Sequence, residues 1–215
     1  MESDSESDAA TGMTTPQRIL HAAERLFSER GVDGVSLREI TTEAGVNSAA
    51  AHYHFGSKDE VLKELFTIRA RPIAERRIEG LSELKRNRQG RPELEDVLRA
   101  FLWPALEDLN TPDGTAFSLL RARMAFERED LRRNVLADAF DASSRMALEE
   151  LAKALPRLTP DELHWRFHFM LGAMVYTMAN PGRIESITDG SIDTRDPEAA
   201  LEHLVRYAAA VFRSA

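Results

Sequence analysis

Between residues 36 and 58 the chain carries side chains of the kind that contact DNA. Small polar residues precede three helical segments, where such residues cap a helix and leave backbone N–H groups free for anions. The middle segment combines small side chains, which fit a major groove, with hydrogen-bonding ones, and cations for phosphates flank it. The residues expected to contact double-stranded DNA are Ser36, Arg38, Asn47, Ser48, Ala49, Ala50, His52, Tyr53 and Lys58.

Two short helices must position these side chains. Ser36 to Glu39 has the pattern of a capping box, and Val35 with Ile40 can form its hydrophobic staple. Gly45 ends that helix and permits a tight reversal of the chain, after which Asn47 begins the next helix. The spacing predicts a helix-turn-helix, with two short helices of an ordinary helical protein, in which Ser and Asn act only as caps, as the alternative.

The rest of the chain also favours helices, so the predicted fold class is all-α, with about nine helices. Thr15 is expected to cap the first helix, Ser57 opens a long connecting helix that Pro72 should kink or divide, and Pro104 should bend a later one. Body helices are predicted near 92–108, 114–128, 131–154, 159–180 and 196–213, with a loop over 182–195.

Composition excludes several classes of function. The chain contains no cysteine, so disulfides, thiolate metal sites and cysteine nucleophiles are absent. No apolar run approaches the ~20 residues that span a membrane, and the acidic start, residues 1–13, is unlike a signal peptide and is expected to be a disordered tail. We therefore expect a cytoplasmic protein without membrane contacts.

Charge is unevenly distributed along the chain. The formal net charge is −8, and residues 1–13, 14–62, 63–91 and 92–215 contribute −4, −2, +5 and −7. The one basic segment directly follows the helix-turn-helix. This distribution permits DNA binding without indicating it, because affinity depends on a few placed cations and N–H groups.

The head closely resembles the tetracycline-repressor (TetR) family. The matching elements are A-A-x-x-L-F at 22–27, G-V-x-x-V-S-L-R-E-I at 31–40, A-G-V at 44–46 and Y-x-F-x-S-K from Tyr53. The resemblance implies a DNA-binding domain over 14–62 and an effector-binding and dimerisation domain over 63–215. It also implies a homodimeric repressor, released from a palindromic operator by a small molecule, with no cofactor and no enzymatic activity.

Within the resemblance, individual residues take expected roles. Arg38, Ser48, Ala50 and Tyr53 occupy positions that read bases or adjacent backbone, whereas Ser36, His52 and Lys58 occupy positions that hold phosphates. The sequence departs from the family at Ser48 to His52, where three alanines replace longer side chains, and at His54. The operator sequence therefore cannot be transferred from relatives, and DNA shape is expected to contribute more to recognition.

Apolar residues of the last two long helices are candidates for the dimer interface, with ordinary core packing as the alternative. They are Phe167, Leu171, Val175, Leu201, Leu204, Val205, Ala208 and Phe212. Gly172 and Ala173 would permit close approach of helices.

A second set of residues is expected to line an effector pocket, again with core packing as the alternative. Its members are Phe66, Phe101, Trp103, Phe117, Leu120, Arg121, Met124, Phe140 and Met174. Arg121 or Arg123 would either meet an acidic ligand group or point to solvent. The segment 155–179 is similar to a TetR subgroup that includes fatty-acid-responsive regulators, which suggests a fatty acid or acyl-CoA effector.

Two other classes of protein remain open. His164 and His168 lie four residues apart and could share a metal in a helical enzyme, although the second carboxylate-x-x-His element of di-iron bundles is missing. A degenerate head in an interaction protein that does not bind DNA is the other alternative. The sequence contains no G-x-S-x-G, P-loop or H-E-x-x-H pattern.

Overall fold

The computed structural model describes residues 12–180 and 182–214, and helices make up most of this part of the chain. The expected tail over 1–13 lies mostly outside the described residues. The helices are α1 (Thr15–Arg30), α2 (Leu37–Glu43), α3 (Ser48–His54), α4 (Lys58–Ser82), α5 (Leu94–Leu106), α6 (Pro112–Arg123), a 3₁₀ turn (Met124–Phe126), α7 (Glu129–Ala154), α8 (Pro160–Ala179), α9 (Arg183–Ile187) and α10 (Pro197–Arg213).

Most helices begin at the capping residues that the sequence predicted. The Asn47, Ser57, Thr159 and Asp196 side chains each accept a hydrogen bond from a backbone N–H in the first turn of their helix. The start of α1 differs by one residue, because Thr14 and not Thr15 is the cap, in a capping box with Gln17.

The expectation of a loop over 182–195 was wrong, since this segment contains the single-turn helix α9. Of the two effects expected of Pro72, a kink or a division of the helix, the division does not occur, because α4 continues to Ser82. A proline removes one intrahelical hydrogen bond, and the buried residues on both sides of it, Ala70 and Ile73, hold the helix against its neighbours.

Two apolar cores organise the molecule. The first joins α1 to α4 with residues of α6 and α7, so that Phe27 and Ile40 of the head share it with Leu120 and Leu131. The second joins the end of α4 with α5, α7, α8 and α10. The expected domain boundary after residue 62 therefore falls inside α4 and within the first core.

Polar contacts also join the head to the body. The Glu127 carboxylate accepts a hydrogen bond from the Val32 backbone N–H at 3.0 Å, and the Arg123 guanidinium donates to the Glu29 carbonyl at 3.1 Å. Among the described residues, no helix is both long and apolar enough to cross a lipid bilayer.

Candidate nucleic-acid interface and effector site

The turn between α2 and α3 has the geometry that the sequence predicted. Gly45 adopts a left-handed backbone conformation with φ of 61°, which costs glycine little. The Gly45 and Val46 N–H groups donate to carbonyls of α2 at 3.1 and 3.0 Å. Ala51 is buried, so the opposite face of α3 points outward.

Most residues expected to contact DNA lie on one exposed face. Ser48, Ala49 and His52 are exposed on α3, and Tyr53 is 86% exposed. Ala50 is half-buried, so it lies at the edge of this face and not at its centre. The Asn47 side chain is exposed, but its carbonyl oxygen accepts from the Ala49 N–H at 2.9 Å, which leaves the amide donor for DNA.

Ser36 is less available to a phosphate than the sequence suggested. Its hydroxyl donates to the Glu39 carboxylate at 2.7 Å, and its backbone N–H donates to the same oxygen at 2.8 Å. These bonds, with help from Arg30, lower the pKa of Glu39 to about 2. A fixed negative charge therefore lies beside the start of α2.

His52 is held in one orientation by its own turn. Its Nδ1 lies 3.0 Å from the Gly56 carbonyl oxygen. A carbonyl only accepts, so Nδ1 carries a proton and Nε2 faces outward. In this tautomer, Nε2 is the ring nitrogen that can accept a hydrogen bond.

Lys58 connects two parts of the head. Its Nζ donates to the Val32 carbonyl at 2.6 Å and the Val35 carbonyl at 2.8 Å. An ammonium has three protons, so one remains for a phosphate. The sequence suggested a phosphate contact for Lys58. These hydrogen bonds indicate that Lys58 also stabilises the folded head. Arg38, by contrast, is exposed, and its side chain forms no ion pair within the described chain.

Most of the expected dimer-interface residues are not at a surface. Phe167, Leu201, Leu204, Val205, Ala208 and Phe212 are all buried in the second core, and Leu171 and Val175 are half-buried beside it. The apolar stripes of α8 and α10 face each other and α5, so these six residues pack within one chain.

The outer surface of α8 and α10 nevertheless carries exposed aromatic side chains. Trp165, Phe169, Tyr176 and Tyr207 are each more than half exposed. The Trp165 and Phe169 rings stack with centroids 5.9 Å apart. Gly172 lies on the same exposed face, where a Cβ would meet nothing within 4 Å. We call these five residues the aromatic face.

The residues expected to line one effector pocket are divided between the two cores. Phe66, Phe117, Leu120 and Met124 lie in the first core, whereas Phe101 and Met174 lie in the second. Trp103 and Phe140 are half-buried. Some of these side chains pack directly against one another, such as Phe66 and Phe117, whose ring centroids lie 5.2 Å apart.

Several cavities of different size are present in the body, the 840 Å³ one with Trp103 in its wall. One of 190 Å³ lies among α4, α5 and α6, with Phe117 and Arg121 in its wall. Another of 420 Å³ lies among α8, α9 and α10, where the sequence carried no recognised ligand pattern. Arg121 is 6% exposed, so its side chain points into the body and not to solvent.

Arg77 was missed by the sequence analysis. It is 2% exposed, and its Nε donates to the Phe101 carbonyl at 2.8 Å. Its position in the sequence could have indicated that it is buried, because Arg77 continues a buried stripe on α4 that consists of Ala70, Ile73 and Leu81.

His164 and His168 are both exposed on α8. Among the described residues, no group of three or more His, Asp or Glu side chains is placed to hold a metal ion. The His168 ring instead contacts Trp165 edge-on, with centroids 5.8 Å apart.

The fold and the exposed face of α3 define a helix-turn-helix protein with a helical body. Residues 19–65 match the model for bacterial regulatory proteins of the tetR family, and residues 99–210 match the model for the tetracyclin repressor-like C-terminal domain. The chain belongs to the TetR family.

The relatives agree with this assignment. The chain is 40% identical over 65 residues to the HTH-type transcriptional regulator AcrR of Shigella flexneri, a match that covers 30% of each protein. The TetR family regulator PfmR of Thermus thermophilus superposes with a TM-score of 0.65 at 19% identity, covering 94% of this chain and 98% of PfmR. The fatty acid degradation regulator FadR of Bacillus halodurans gives 0.68 at 13% identity, covering 95% and 100%. These two structures establish the shared fold.

Proposed function

We propose that the protein is a transcriptional repressor that binds a palindromic operator as a homodimer and is released by a small-molecule effector. The observation that carries this proposal is the exposed face of α3, where Tyr53 is 86% exposed beside Ser48 and Ala49. A solvent-exposed tyrosine on a short, small-residue helix suits insertion into a major groove.

The head binds DNA through individual cations at defined positions and not through its net charge. Residues 14–62 carry a net charge of −2, whereas residues 63–91 behind them carry +5. Arg38 and the remaining proton of Lys58 supply phosphate contacts at the groove edge. The basic segment adds longer-range attraction, which salt screens.

The experiment is selection of bound fragments from genomic DNA, followed by affinity measurement on the enriched site. We expect an inverted repeat whose half-site centres lie one helical turn apart or a multiple of it. Affinity should fall steeply as salt concentration rises.

A matched pair of variants places the contact on α3. Ala49→Glu puts a carboxylate on the groove face and should weaken binding more than about 100-fold. Ala152→Glu makes the same change at an exposed position of α7 and should leave affinity unchanged. Equal effects of the two variants, or no enriched site, would favour an interaction protein with a degenerate head.

A further inference from the structure

Two arginines in the body interior are not neutralised by any carboxylate. Arg77 on α4 is 2% exposed and Arg121 on α6 is 6% exposed. Neither forms an ion pair with an acidic residue anywhere in residues 12–180 and 182–214, and burial together with the charge of Arg121 lowers the pKa of Arg77. The pair is therefore a buried concentration of positive charge.

Aromatic rings surround both guanidinium groups. The Arg77 Cζ lies 4.0 Å from the centre of the Phe101 ring, and the Arg121 Cζ lies 5.0 Å from that of Phe140. Phe140 also lies 5.4 Å from the Arg77 Cζ, so it contacts both cations. Cation–π contacts stabilise a buried guanidinium but do not replace a counter-ion.

The two arginines differ in how many of their donors are used. Arg77 donates to the Phe101 carbonyl at 2.8 Å and contacts the Met174 sulfur at 3.5 Å. Arg121 donates no hydrogen bond to any residue that the structure describes. Burial lowers the pKa of Arg121 to about 10, so it stays charged at neutral pH with its planar set of donors unused.

Arg121 lies in the wall of the 190 Å³ cavity. Three other charged residues reach this wall: Arg69 lies 3.1 Å from a Glu24 oxygen, Arg76 lies 2.5 Å from a Glu107 oxygen, and Asp108 is exposed to solvent. The pKa of Glu24 is raised to about 7, so Glu24 offsets the charge of Arg69 only in part at neutral pH. Apolar parts of the wall come from α4, α5 and α6, through Ile68, Pro72, Ile73, Pro104, Ala105 and Phe117.

We propose that Arg121 binds the carboxylate of a small organic anion in this cavity. Arg77 lies behind it and adds positive potential, and the aromatic and aliphatic wall receives the apolar part of the ligand. The inference rests on the proposed function, because it names the chemical class of the effector.

The site favours a carboxylate over a phosphate and a compact ligand over a long one. A guanidinium fork binds a carboxylate or a phosphate bidentately, but a partly apolar wall accommodates a monoanion at lower desolvation cost than a dianion. The volume of 190 Å³ suits a compact acid better than a coenzyme A thioester.

The first test measures ligand binding to the full-length protein without DNA. Benzoate and octanoate are compared with benzamide and octanamide at constant ionic strength, by thermal unfolding and calorimetry. We expect at least one carboxylate to raise the Tm by several degrees, whereas its neutral amide does not. Stabilisation by inorganic phosphate alone, or by none of the anions, would overturn the proposal.

The second test uses variants of α6. Arg121→Met should weaken carboxylate binding more than about 30-fold, and its own Tm without ligand should rise, since an unpaired buried charge is removed. Arg123→Met is the control on the same helix, because Arg123 donates to the Glu29 carbonyl outside the cavity wall; it should bind carboxylate like the wild type.

Further variants keep the proposal falsifiable. If Arg121→Met fails to fold, Arg121→Lys keeps the charge but loses the planar fork, and we expect about tenfold weaker binding. Unchanged carboxylate binding by the Arg121 variants would contradict the proposal. Operator binding without any carboxylate binding would refute this inference alone, whereas carboxylate binding without any operator would refute the proposed function and leave the anion site.

Discussion

Lys58 acts in the folded head as well as at its surface. Its two hydrogen bonds to the Val32 and Val35 carbonyls connect the start of α4 to the segment that leads into α2. The ammonium is half-buried, so removing it leaves two carbonyls without their donor. A residue that only contacts phosphate would lack this effect on folding.

Lys58→Met should therefore lower the free energy of unfolding by about 2 kcal/mol and also weaken operator binding. Urea unfolding measures the first effect. The control is Lys63→Met, which removes an exposed ion pair with Glu60 at 2.7 Å and should change stability by less than about 0.5 kcal/mol. Wild-type stability of Lys58→Met would assign Lys58 to phosphate contact alone.

Glu24 is a buried acid at the junction of head and body. It is 8% exposed on α1, and one of its oxygens lies 3.1 Å from Arg69 Nε on α4. Burial raises the pKa of Glu24 to about 7, and the attraction of Arg69 offsets only part of this rise. Glu24 is therefore partly protonated near neutral pH.

The raised pKa of Glu24 determines the direction in which the stability of the protein changes with pH. The folded protein keeps the Glu24 proton to about pH 7, whereas the unfolded chain releases it near 4.5, so the folded state binds more protons between these values. Stability should fall as pH rises through this window, by up to about 3 kcal/mol. Glu24→Gln should remove this part of the slope.

The measurement is the difference between the unfolding free energies at pH 5 and pH 7.5. Glu29→Gln is a matched control, because Glu29 is an exposed residue of the same helix in an ion pair with Arg25; it should keep the wild-type slope. An unchanged slope in Glu24→Gln would mean that Glu24 is ionised throughout.

At the scale of elements, α4 carries a proline without breaking. Pro72 cannot donate to the Ile68 carbonyl, yet the helix continues for ten more residues to Ser82. Both Ile68 and Pro72 line the 190 Å³ cavity. The missing hydrogen bond is therefore at the cavity wall.

Pro72→Ala should restore that hydrogen bond and raise the free energy of unfolding by about 1–3 kcal/mol. The comparison is Glu75→Ala, an exposed position one turn along α4, where the change should stay within about 0.5 kcal/mol. A loss of stability in Pro72→Ala would indicate that the proline's rigidity in the unfolded chain outweighs the lost bond.

The ends of helices were more predictable than the directions of their faces. Local side chains such as Asn47 and Asp196 determine where a helix begins, so the sequence carries that information. The periodicity of α10 identified an apolar stripe containing Leu204, but a stripe that faces a partner and one that faces the chain's own core have the same pattern. The structure was needed to distinguish them.

The residues of the candidate sites also differ in how well the sequence predicts them. Tyr53 and its neighbours were predictable, because their helix is short and has one buried position, Ala51. Arg77 was missed although it continues the buried stripe of α4, since a long polar side chain is usually exposed and packing from α5, α7 and α8 buries this one. The helix α9 has five residues, too few for a helical period to be recognised.

At the scale of the whole molecule, the cavity and the head share a core. Phe117 lines the 190 Å³ cavity, and its ring lies 5.2 Å from that of Phe66 on α4. Both rings belong to the core that also contains Phe27 and Ile40 of the head. A ligand that displaces Phe117 would therefore act on packed side chains that reach the helix-turn-helix.

Dimerisation through the aromatic face would place two heads on one operator. Trp165 and Phe169 are 54% and 55% exposed, which is costly for a surface in water. Gly172 between them and Tyr176 leaves room for a second helix to approach closely. A two-fold axis through α8 and α10 would give the symmetry that an inverted repeat requires.

Phe169→Lys should therefore convert the dimer to a monomer of 24.1 kDa and weaken operator binding, because two like charges would meet near the two-fold axis. Analytical ultracentrifugation gives the mass and fluorescence anisotropy gives the affinity. The matched control is Phe126→Lys, since Phe126 is 90% exposed in the 3₁₀ turn, away from α8 and α10. It should remain dimeric, because removing an exposed ring outside the interface affects no subunit contact. A dimeric Phe169→Lys protein, or a monomeric Phe126→Lys protein, would place the interface elsewhere on the body.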